Sequence, residues 1–440
     1  MSTSGRLAHT NDISAKQAAI SLAVILTLGL AVRMAVTLAR PLGLNSFSDD
    51  NAYISSAADF VKTGYITYSN HEKQSGVLGV GMPLLLGLLF RVFGYQPSGM
   101  LTSHILFSAI GLVTAYGAYL WGARLHSRKA GVLAAALVAL DGGMIIANCS
   151  FYVETPYLCA NLFALYFFTS CIKAWSPARY AVGIACFCIA ASFKGLACLV
   201  LPYAVVLALA LRVPARKWLP RVLAAMAAFA LIFLPWCVRN LSVTGSFTPF
   251  PISQGDQKLL GAFEGFDHPE GDYNTASMLM DREAWEQGYQ DDATRRLRRR
   301  GEYADELYAT WFREQPVGFV FTHAVYKPLK LLAGIATNRS VIPIPERLVR
   351  AIWYACLAFS ALGMLMDNQK RDGQFWALPL YLAGAALITA IYIPLARYNQ
   401  PHVPILYIYT AIGILECINR LKAKRRILHG CALQARSFFI

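Results

Sequence analysis

Ten apolar stretches run through this 440-residue chain, and most are long enough to cross the hydrocarbon of a bilayer, which is about 30 Å thick. Because the bilayer offers no water to unpaired backbone groups, such stretches are expected to be helices. We therefore predict an all-α polytopic membrane protein with about ten transmembrane helices. In chain order, the predicted spans are Ala18–Thr37, Met100–Gly122, Ala130–Ala147, Thr155–Ile172, Tyr180–Ser192, Ala197–Leu211, Val222–Val238, Leu348–Met366, Phe375–Leu395 and Val403–Ile418.

The composition excludes a soluble globular domain of this length, since 56% of the residues are hydrophobic and only 15% are charged. The formal net charge of +15 would also suit a nucleic-acid-binding protein. Most of the basic residues, however, fall in short clusters between apolar runs, where they orient a chain in the bilayer. We interpret the charge as a signal of topology and expect no nucleic-acid partner.

The distribution of this charge predicts a multi-pass membrane protein with both termini in the cytoplasm. In this orientation the short inside segments hold 19 Lys and Arg residues and the short outside loops hold six, whereas long loops cross regardless of charge. The predicted parts are a cytoplasmic N-terminus (1–17), seven spans (18–238) with an outside loop at 41–99, a large outside loop (239–345), three spans (346–418) and a basic cytoplasmic tail (419–440).

Two segments in the predicted outside loops are expected to be helices that do not cross the membrane: the first is interfacial or re-entrant, and the second is interfacial. Val77–Phe93 is apolar but short, and if it crossed the membrane every later basic loop would face outward. Phe319–Ala333 would place Lys327 and Lys330 where they reach lipid head groups. Between them, the arginine run at 295–300 fits a solvated helix face, with a specific anion site as the alternative.

Motifs of soluble enzymes are not evident in this sequence. The cysteines lie in or beside apolar spans or in the tail and none lies in the large outside loop, so we expect no disulfide framework. The glycines from Gly76 to Gly81 lack the Gly-Lys-Ser/Thr ending of a phosphate loop, and the histidines have no partner at zinc spacing. Nucleotide hydrolysis and zinc chemistry are therefore not indicated.

Polar residues at the outer ends of the spans are better guides to function, because burying them in a bilayer is costly. On the predicted topology, one face collects Asp49, Asp50, Glu154, Lys194, Arg239, Arg397 and Tyr398. Carboxylates and cations at one membrane surface suit a phosphate carried on a lipid, with the anion held by Arg and Lys. A sugar phosphodiester is already a fair leaving group, so catalysis would need one general base and positive charge near the departing phosphate.

These residues also have purely structural interpretations. Asp50 would cap a helix that runs from about Asn51 to Lys62, and Glu154 would start the next helix at the positive end of its dipole. The basic side chains would be anchors that reach the head groups: Lys194, Arg239 and Arg397.

Four motifs carry a family resemblance: DDNAY (49–53), MPLLLGLLFRVFG (82–94), FLPWCVRNLSVTGSFTP (233–249) and ARYNQPHVP (396–404). In this order they resemble the polytopic GT-C glycosyltransferases that use lipid-phosphate sugars. That class includes the protein O-mannosyltransferases and the bacterial aminoarabinose transferase of lipid A, in glycosyltransferase family 39. At Ala52, Gly81 and Met82 the chain lacks cations of the aminoarabinose transferase, so the resemblance is to the broad class.

The resemblance implies an inverting transfer of a sugar from a polyprenyl-phosphate donor, undecaprenyl phosphate in a bacterium. The acceptor would be a hydroxyl or amine on an outward-facing glycan, lipid or protein of the cell envelope. Asp49 would be the general base, with Asp50 beside it and Glu154 as a second acid. Lys194 would contact the lipid phosphate, and the further substrate contacts would be Arg239, Arg397, Tyr398 and Tyr53.

We expect no required cofactor, although Mg²⁺ or Mn²⁺ bound by Asp49, Asp50 and Glu154 is an alternative, because oxygen ligands suit these ions. A transporter or flippase of lipid-linked sugars is the rival function, and it would need two gates and a charged path across the midplane. A structural or adaptor protein is a third interpretation, which would tolerate substitution of Asp49 and Lys194.

Overall fold

The computed structural model of the protein describes residues 12–39, 49–68, 71, 73–335, 344–366 and 375–437. Its α-helices in chain order are α1 (Ala15–Leu38), α2 (Asp49–Thr63), α3 (Gly81–Phe93), α4 (Pro97–Leu125), α5 (Arg128–Leu140), α6 (Gly142–Cys149), α7 (Glu154–Lys173), α8 (Pro177–Phe193), α9 (Val200–Ala210), α10 (Ala215–Thr244), α11 (Gln254–Ala262), α12 (Tyr273–Glu286), α13 (Ala293–Glu314), α14 (Pro316–Phe321), α15 (Lys327–Ala333), α16 (Glu346–Met366), α17 (Ala377–Thr389) and α18 (Val403–Ser437). Shorter helical turns are the 3₁₀ segments Gly195–Leu199 and Ala396–His402 and the π-helical turn Thr322–Tyr326.

Within the described residues, six helices are long and apolar enough to cross a membrane: α1, α4, α7, α10, α16 and the helix that ends the chain, α18 with the 3₁₀ segment before it. The pair α5 and α6 is a seventh candidate, bent by 53° at its break. The other three predicted spans are shorter apolar helices: α8, the stretch Gly195–Ala210, and α17. Each predicted span therefore coincides with a helix, and the all-α polytopic class is confirmed.

The break between α5 and α6 is held by Arg33, a fully buried residue of α1. Asp141, at the break, accepts the Met144 N–H at 2.8 Å and so caps α6. Arg33 donates from Nε to Asn148 Oδ1 at 2.6 Å and from Nη1 to the Ala139 carbonyl at 2.5 Å. Because a buried guanidinium needs acceptors, these bonds on both sides of the break tie α1 to the bent pair.

Small residues allow the core helices to pack closely. A Cβ on Gly122 of α4 would lie 2.8 Å from the Gly131 Cα of α5, and a Cβ on Gly413 of α18 would lie 2.0 Å from the Phe359 carbonyl of α16. Backbones that approach this closely are typical of helix pairs in bilayers. Several cysteines lie in this core, and those that the structure describes are free thiols.

The first loop (41–99), which the sequence predicts to lie outside, contributes α2 and α3, and these helices pack through Ala57 and Leu86. The predicted helix cap at Asp50 is wrong, because α2 already includes Asp49 and Asp50 in its first turn. The helix ends before Gly64, whose φ of +75° is a left-handed conformation that favours glycine.

α3 is the helix that was expected to lie along the membrane surface. It begins at Gly81 rather than Val77, and its 13 residues extend for about 20 Å, less than the thickness of the hydrocarbon. One side is exposed at Leu84, Leu88 and Val92, which follow one another at i, i+4 spacing. An exposed apolar stripe on a short helix is consistent with the expected surface orientation.

The large loop (239–345), which the sequence also predicts to lie outside, contains α11 to α15. α11 crosses α13 at Gly255, where a Cβ would lie 1.9 Å from the Leu297 carbonyl oxygen, so this approach requires glycine. The arginine run lies on α13 and is more than a solvated face, because Arg300 bonds Asp256 of α11 at 2.5 Å and Asp281 of α12 at 2.6 Å. These ion pairs join the three helices.

The expected second surface helix, Phe319–Ala333, lies within a helical segment that continues from Pro316 to Ala333 through the π-helical turn. Its exposed apolar side chains recur at helical spacing: Val317, Val320, Phe321, Val325 and Leu329. The expected contact of Lys327 with head groups is wrong, because its side chain is fully buried and Nζ donates to the Gly261 carbonyl at 2.8 Å. Lys330 is half-exposed and pairs with Glu264.

Candidate active site

A cavity of about 860 Å³ opens where α2, the start of α7, the turn after α8, α11 and the turn before α18 meet. Cavities of several hundred cubic ångströms are large enough for cofactors and other organic ligands. Six of the eight predicted site residues line it: Asp49, Tyr53, Glu154, Lys194, Arg397 and Tyr398. The fold therefore brings together residues from distant parts of the sequence.

The first ion pair of the cavity joins Glu154 to Lys194. Glu154 is the first residue of α7, where the helix dipole favours a carboxylate. Lys194 lies at the break between α8 and the 3₁₀ segment, and its Nζ donates to Glu154 Oε1 at 2.8 Å. The Glu154 side chain is 3% exposed and that of Lys194 is 20% exposed. Both residues line the cavity, and the Lys194 ammonium is the more accessible of the two groups.

The second ion pair joins Asp49 to Arg397, whose Nη2 donates to Asp49 Oδ2 at 2.5 Å. The Asp49 side chain is 50% exposed, so its carboxylate is accessible from the cavity that it lines. The buried Nε–H of Arg397 has no hydrogen-bond acceptor among the described residues. A buried cationic N–H group that has no acceptor is suited to bind an anionic ligand.

Tyrosine rings surround both cations. The ring centroid of Tyr398 lies 5.4 Å from Lys194 Nζ and 5.5 Å from Arg397 Cζ, so one ring contacts both charges. Burial, and to a lesser extent the negative charge of Asp49, raises the pKa of Tyr53. The Tyr53 phenol therefore stays protonated and can donate a hydrogen bond into the cavity.

Much of the remaining wall is apolar. These residues come from the segment before α3, from α3 itself and from the α8–α9 region: Val77, Leu78, Met82, Phe193, Leu196, Leu199 and Pro202. A cavity that places cations beside an apolar wall matches a ligand with an anionic head and a hydrocarbon tail.

The wall formed by α11 was not predicted from the sequence. Gln254, Asp256 and Gln257 line the cavity from this helix, and Tyr392 donates from Oη to Gln254 Oε1 at 2.5 Å. The i, i+3 spacing of Gln254 and Gln257 was the sequence pattern that could have indicated this wall, since residues three apart share a helix face.

Tyr68 lines the same cavity from the first loop. Burial and nearby carboxylates raise the pKa of Tyr68.

Two predicted site residues are described but do not line the cavity. Asp50 is buried, and its Oδ1 accepts the Asn51 N–H at 3.1 Å. Arg239, near the end of α10, donates to Asn240 Oδ1 at 2.9 Å and to the Ile66 carbonyl at 3.4 Å. The structure therefore places Arg239 as a link between α10 and the first loop.

No protein-family model and no curated protein matches this sequence. Solved structures do match. The archaeal oligosaccharyltransferase AglB of Archaeoglobus fulgidus, in complex with an inhibitory peptide and a dolichol-phosphate, superposes with a TM-score of 0.55 at 12% identity, over 95% of this chain and 52% of that chain. The apo form of the A. fulgidus oligosaccharyltransferase gives a TM-score of 0.54 at 13% identity, over 93% and 52%.

These matches show the fold, and they confirm the predicted GT-C-like arrangement of membrane helices. The chain spans about half the length of the oligosaccharyltransferases that it matches. ArnT from Cupriavidus metallidurans bound to undecaprenyl phosphate aligns over 92% of this chain and 79% of that chain at 14% identity, with a TM-score of 0.44. A score this low supports no conclusion, and a shared fold does not fix an activity.

The alternative of Mg²⁺ or Mn²⁺ held by Asp49, Asp50 and Glu154 does not fit this arrangement. In the part of the chain that the structure describes, no group of three or more His, Cys, Asp or Glu side chains is placed to hold a metal ion. Asp49 and Glu154 each pair with a cation, and Asp50 does not line the cavity.

Proposed function

We propose that the protein is a membrane glycosyltransferase, which moves a sugar from a polyprenyl-phosphate donor to a hydroxyl or amine of an outward-facing acceptor. The observation that carries this proposal is the presence of two ion pairs, Lys194–Glu154 and Arg397–Asp49, in one cavity with an apolar wall. The cations and the wall suit a lipid phosphate, and the accessible Asp49 carboxylate suits proton removal.

Lys194 and Arg397 would hold the lipid phosphate. Lys194 uses one ammonium proton on Glu154, and Arg397 has a buried Nε–H without an acceptor among the described residues, so both retain donors for phosphate oxygens. The AglB structure, which shares this fold, holds a dolichol-phosphate, and this supports a lipid phosphate as the ligand here. The polyprenyl chain would lie against the apolar wall.

Asp49 is the proposed general base. As the acceptor oxygen or nitrogen bonds the anomeric carbon, its proton passes to the Asp49 carboxylate. On the opposite face of the sugar, the bond from the anomeric carbon to the phosphate oxygen breaks, and its electron pair leaves with polyprenyl phosphate. This single displacement inverts the anomeric centre, unlike a retaining route through a covalent carboxylate intermediate. The negative charge that develops on the phosphate is stabilised by Lys194 and Arg397.

The remaining site residues support this step. Glu154 would position Lys194, and the protonated Tyr53 would donate a hydrogen bond to the substrate. Tyr398 would orient both cations through its ring. Asp50 and Arg239 have no direct role in this proposal, because neither lines the cavity.

The topology predicted from basic residues would place this cavity on the outer or periplasmic face of the plasma membrane, with both termini in the cytoplasm. The acceptor would then be a glycan, lipid or protein of the cell envelope. The donated group would be a hexose or a pentose.

The decisive experiment measures release of free polyprenyl phosphate by the purified protein in lipid nanodiscs, supplied with a panel of undecaprenyl-phosphate sugars and crude cell-envelope acceptors. Wild type should release it from one donor, and Asp49→Asn should release it at least about 100-fold more slowly, since general bases contribute about 10²- to 10⁴-fold. The matched control is Asp291→Asn, which changes an exposed acid of the large loop.

Other outcomes would redirect the proposal. Equal release by Asp49→Asn would exclude this residue as the base. Movement of an intact donor across the bilayer without release would favour a transporter or flippase instead. We expect EDTA to leave release unchanged, and loss of release on adding EDTA would restore the metal alternative.

A further inference from the structure

The α11 wall of the cavity is not used by the proposed transfer step. Gln254, Asp256 and Gln257 line the cavity from α11, and Tyr392 lines it from the segment after α17. These side chains supply two amides, one carboxylate and one phenol. The cations proposed to hold the phosphate lie on other elements, so the cavity contains a second polar surface with different chemistry.

This surface is held in place from two sides. Arg300 donates from Nη1 to Asp256 Oδ1 at 2.5 Å and from Nη2 to Asp281 Oδ1 at 2.6 Å, which fixes α11 against the rest of the large loop. The Gln257 carbonyl accepts the Ile393 N–H at 3.1 Å, which joins α11 to the segment that carries Tyr392. These contacts hold the backbone of α11 and the Asp256 side chain at the cavity, so less freedom is lost here when a ligand binds.

The internal hydrogen bonds also determine which groups can meet a ligand. Because Tyr392 Oη donates to Gln254 Oε1 at 2.5 Å, the Gln254 amide is oriented with its NH₂ group left to donate. Arg300 bonds one carboxylate oxygen of Asp256, and the other oxygen is an acceptor. The Gln257 amide provides both a donor and an acceptor.

Neighbouring hydroxyl groups match such a mixed surface, because each hydroxyl both donates and accepts a hydrogen bond. A phosphate matches it poorly, since a phosphate offers only acceptors and would be repelled by the charge of Asp256. We infer that Gln254, Asp256, Gln257 and Tyr392 form a subsite that binds the hydroxyl groups of a sugar ring and selects which sugar is used. This inference rests on the proposed function, because the sugar belongs to the donor lipid or to the acceptor.

The first test asks whether the sugar of the donor occupies the subsite. Undecaprenyl phosphate and its mannosyl, glucosyl, galactosyl and aminoarabinosyl esters are titrated into the full-length protein in nanodiscs. We expect wild type to bind one glycosylated lipid at least about tenfold more tightly than the bare phosphate. Gln254→Ala and Gln257→Ala should lose that preference and keep wild-type affinity for the bare phosphate. The matched control Gln290→Ala, on an exposed turn of the same loop, should keep both.

The second test asks whether the sugar of an acceptor occupies the subsite. Polyprenyl phosphate release is measured with water alone and with cell-envelope acceptors. In one outcome, the variants retain the donor preference of wild type and its rate of polyprenyl phosphate release in water alone. If their release rate in the presence of acceptors then falls by about tenfold, the subsite holds an acceptor sugar. If both the donor preference and the acceptor-dependent release match wild type, the inference is overturned.

Failure of the proposed function gives a different result. In that case wild type would not bind bare undecaprenyl phosphate, or Lys194→Ala would bind it as tightly as wild type does. The subsite alone would be overturned by a different combination of results. Wild type would bind bare undecaprenyl phosphate in a way that depends on Lys194, while Gln254→Ala and Gln257→Ala would show the sugar preference and the transfer rate of wild type.

Discussion

Arg397 Nη2 donates to Asp49 Oδ2 at 2.5 Å, across 348 positions of the chain. The same guanidinium keeps its buried Nε–H without an acceptor among the described residues. One arginine therefore contacts the proposed base and also retains a donor for the proposed phosphate. In the proposed transfer, this side chain would contact both the group that takes the proton and the phosphate that leaves.

Replacing Arg397 by lysine should reveal whether this double contact matters. Arg397→Lys keeps the positive charge but loses the planar fork that can donate in two directions. We expect polyprenyl phosphate release to fall by about 10- to 100-fold, because the base and the phosphate are no longer held by one rigid group. The control is Arg313→Lys on the exposed face of α13. A wild-type rate for Arg397→Lys would show that charge alone suffices.

Breaking the Lys194–Glu154 pair should reduce stability as well as activity. Lys194→Met leaves the Glu154 carboxylate, which is 3% exposed, without its cation, and such a change costs about 3–5 kcal/mol. In the double variant Lys194→Met/Glu154→Gln no buried charge is left unpaired. We expect its thermal unfolding midpoint in nanodiscs to recover toward wild type while polyprenyl phosphate release stays lost. Recovered release would contradict a role for Lys194 in phosphate binding.

The apolar runs predicted the helices well because the hydrocarbon requires both helical backbone and apolar side chains. Thr155–Ile172 was predicted, and α7 is Glu154–Lys173. Where a helix continues beyond its apolar run, the prediction was too short, as at Val222–Val238, which lies within α10 (Ala215–Thr244). Hydropathy reports the apolar part of a helix and not its polar ends.

The pairing of site residues could not be predicted, since it depends on how helices far apart in sequence pack. The predicted topology put Asp49 and Arg397 on the same face but gave no reason for them to touch. Lys327 was misplaced for a related reason. An amphipathic pattern assigns a lysine to the polar side of its helix, and here that side meets the Gly261 carbonyl near the end of α11 rather than head groups.

Close packing of α11 against α13 should be sensitive to a single methyl group. In Gly255→Ala the Cβ would lie 1.9 Å from the Leu297 carbonyl oxygen, so α11 must move away from α13. The cavity wall that α11 forms would move as well. We expect a lower unfolding midpoint and slower polyprenyl phosphate release. Gly301→Ala on α13 is the matched control, because its Cβ would lie 3.6 Å from the Gly255 Cα, an ordinary contact. Similar behaviour of the two variants would show that α11 can shift without cost.

The buried Lys327 should make the stability of the large loop depend on pH. Burial lowers the pKa of Lys327 to about 7, with Glu264 opposing this shift and Lys330 adding to it. His323 Nε2 lies 3.2 Å from Lys327 Nζ, and burial together with the charge of Lys327 lowers the pKa of His323 to about 4, so the imidazole beside Lys327 is neutral. The Lys327 amine is therefore expected to lose its proton near neutral pH in the folded protein.

The sign of the effect follows from proton binding. An unfolded lysine has a pKa of about 10.4, so between pH 7 and pH 10 the unfolded chain binds more protons than the folded chain and the free energy of unfolding rises with pH. Relative to Lys327→Met, the free energy of unfolding of wild type should rise by up to about 1.4 kcal/mol per pH unit between pH 7 and pH 10. Below pH 7 it should not change with pH. Native-state proteolysis of the loop at pH 6, 7, 8 and 9 measures the difference. In the control Lys330→Met, the free energy of unfolding should still rise with pH as it does in wild type. Glu264 raises the pKa of Lys330, so Lys330 does not titrate between pH 7 and pH 10. Parallel profiles for wild type and Lys327→Met would show that Lys327 keeps its proton in the folded protein.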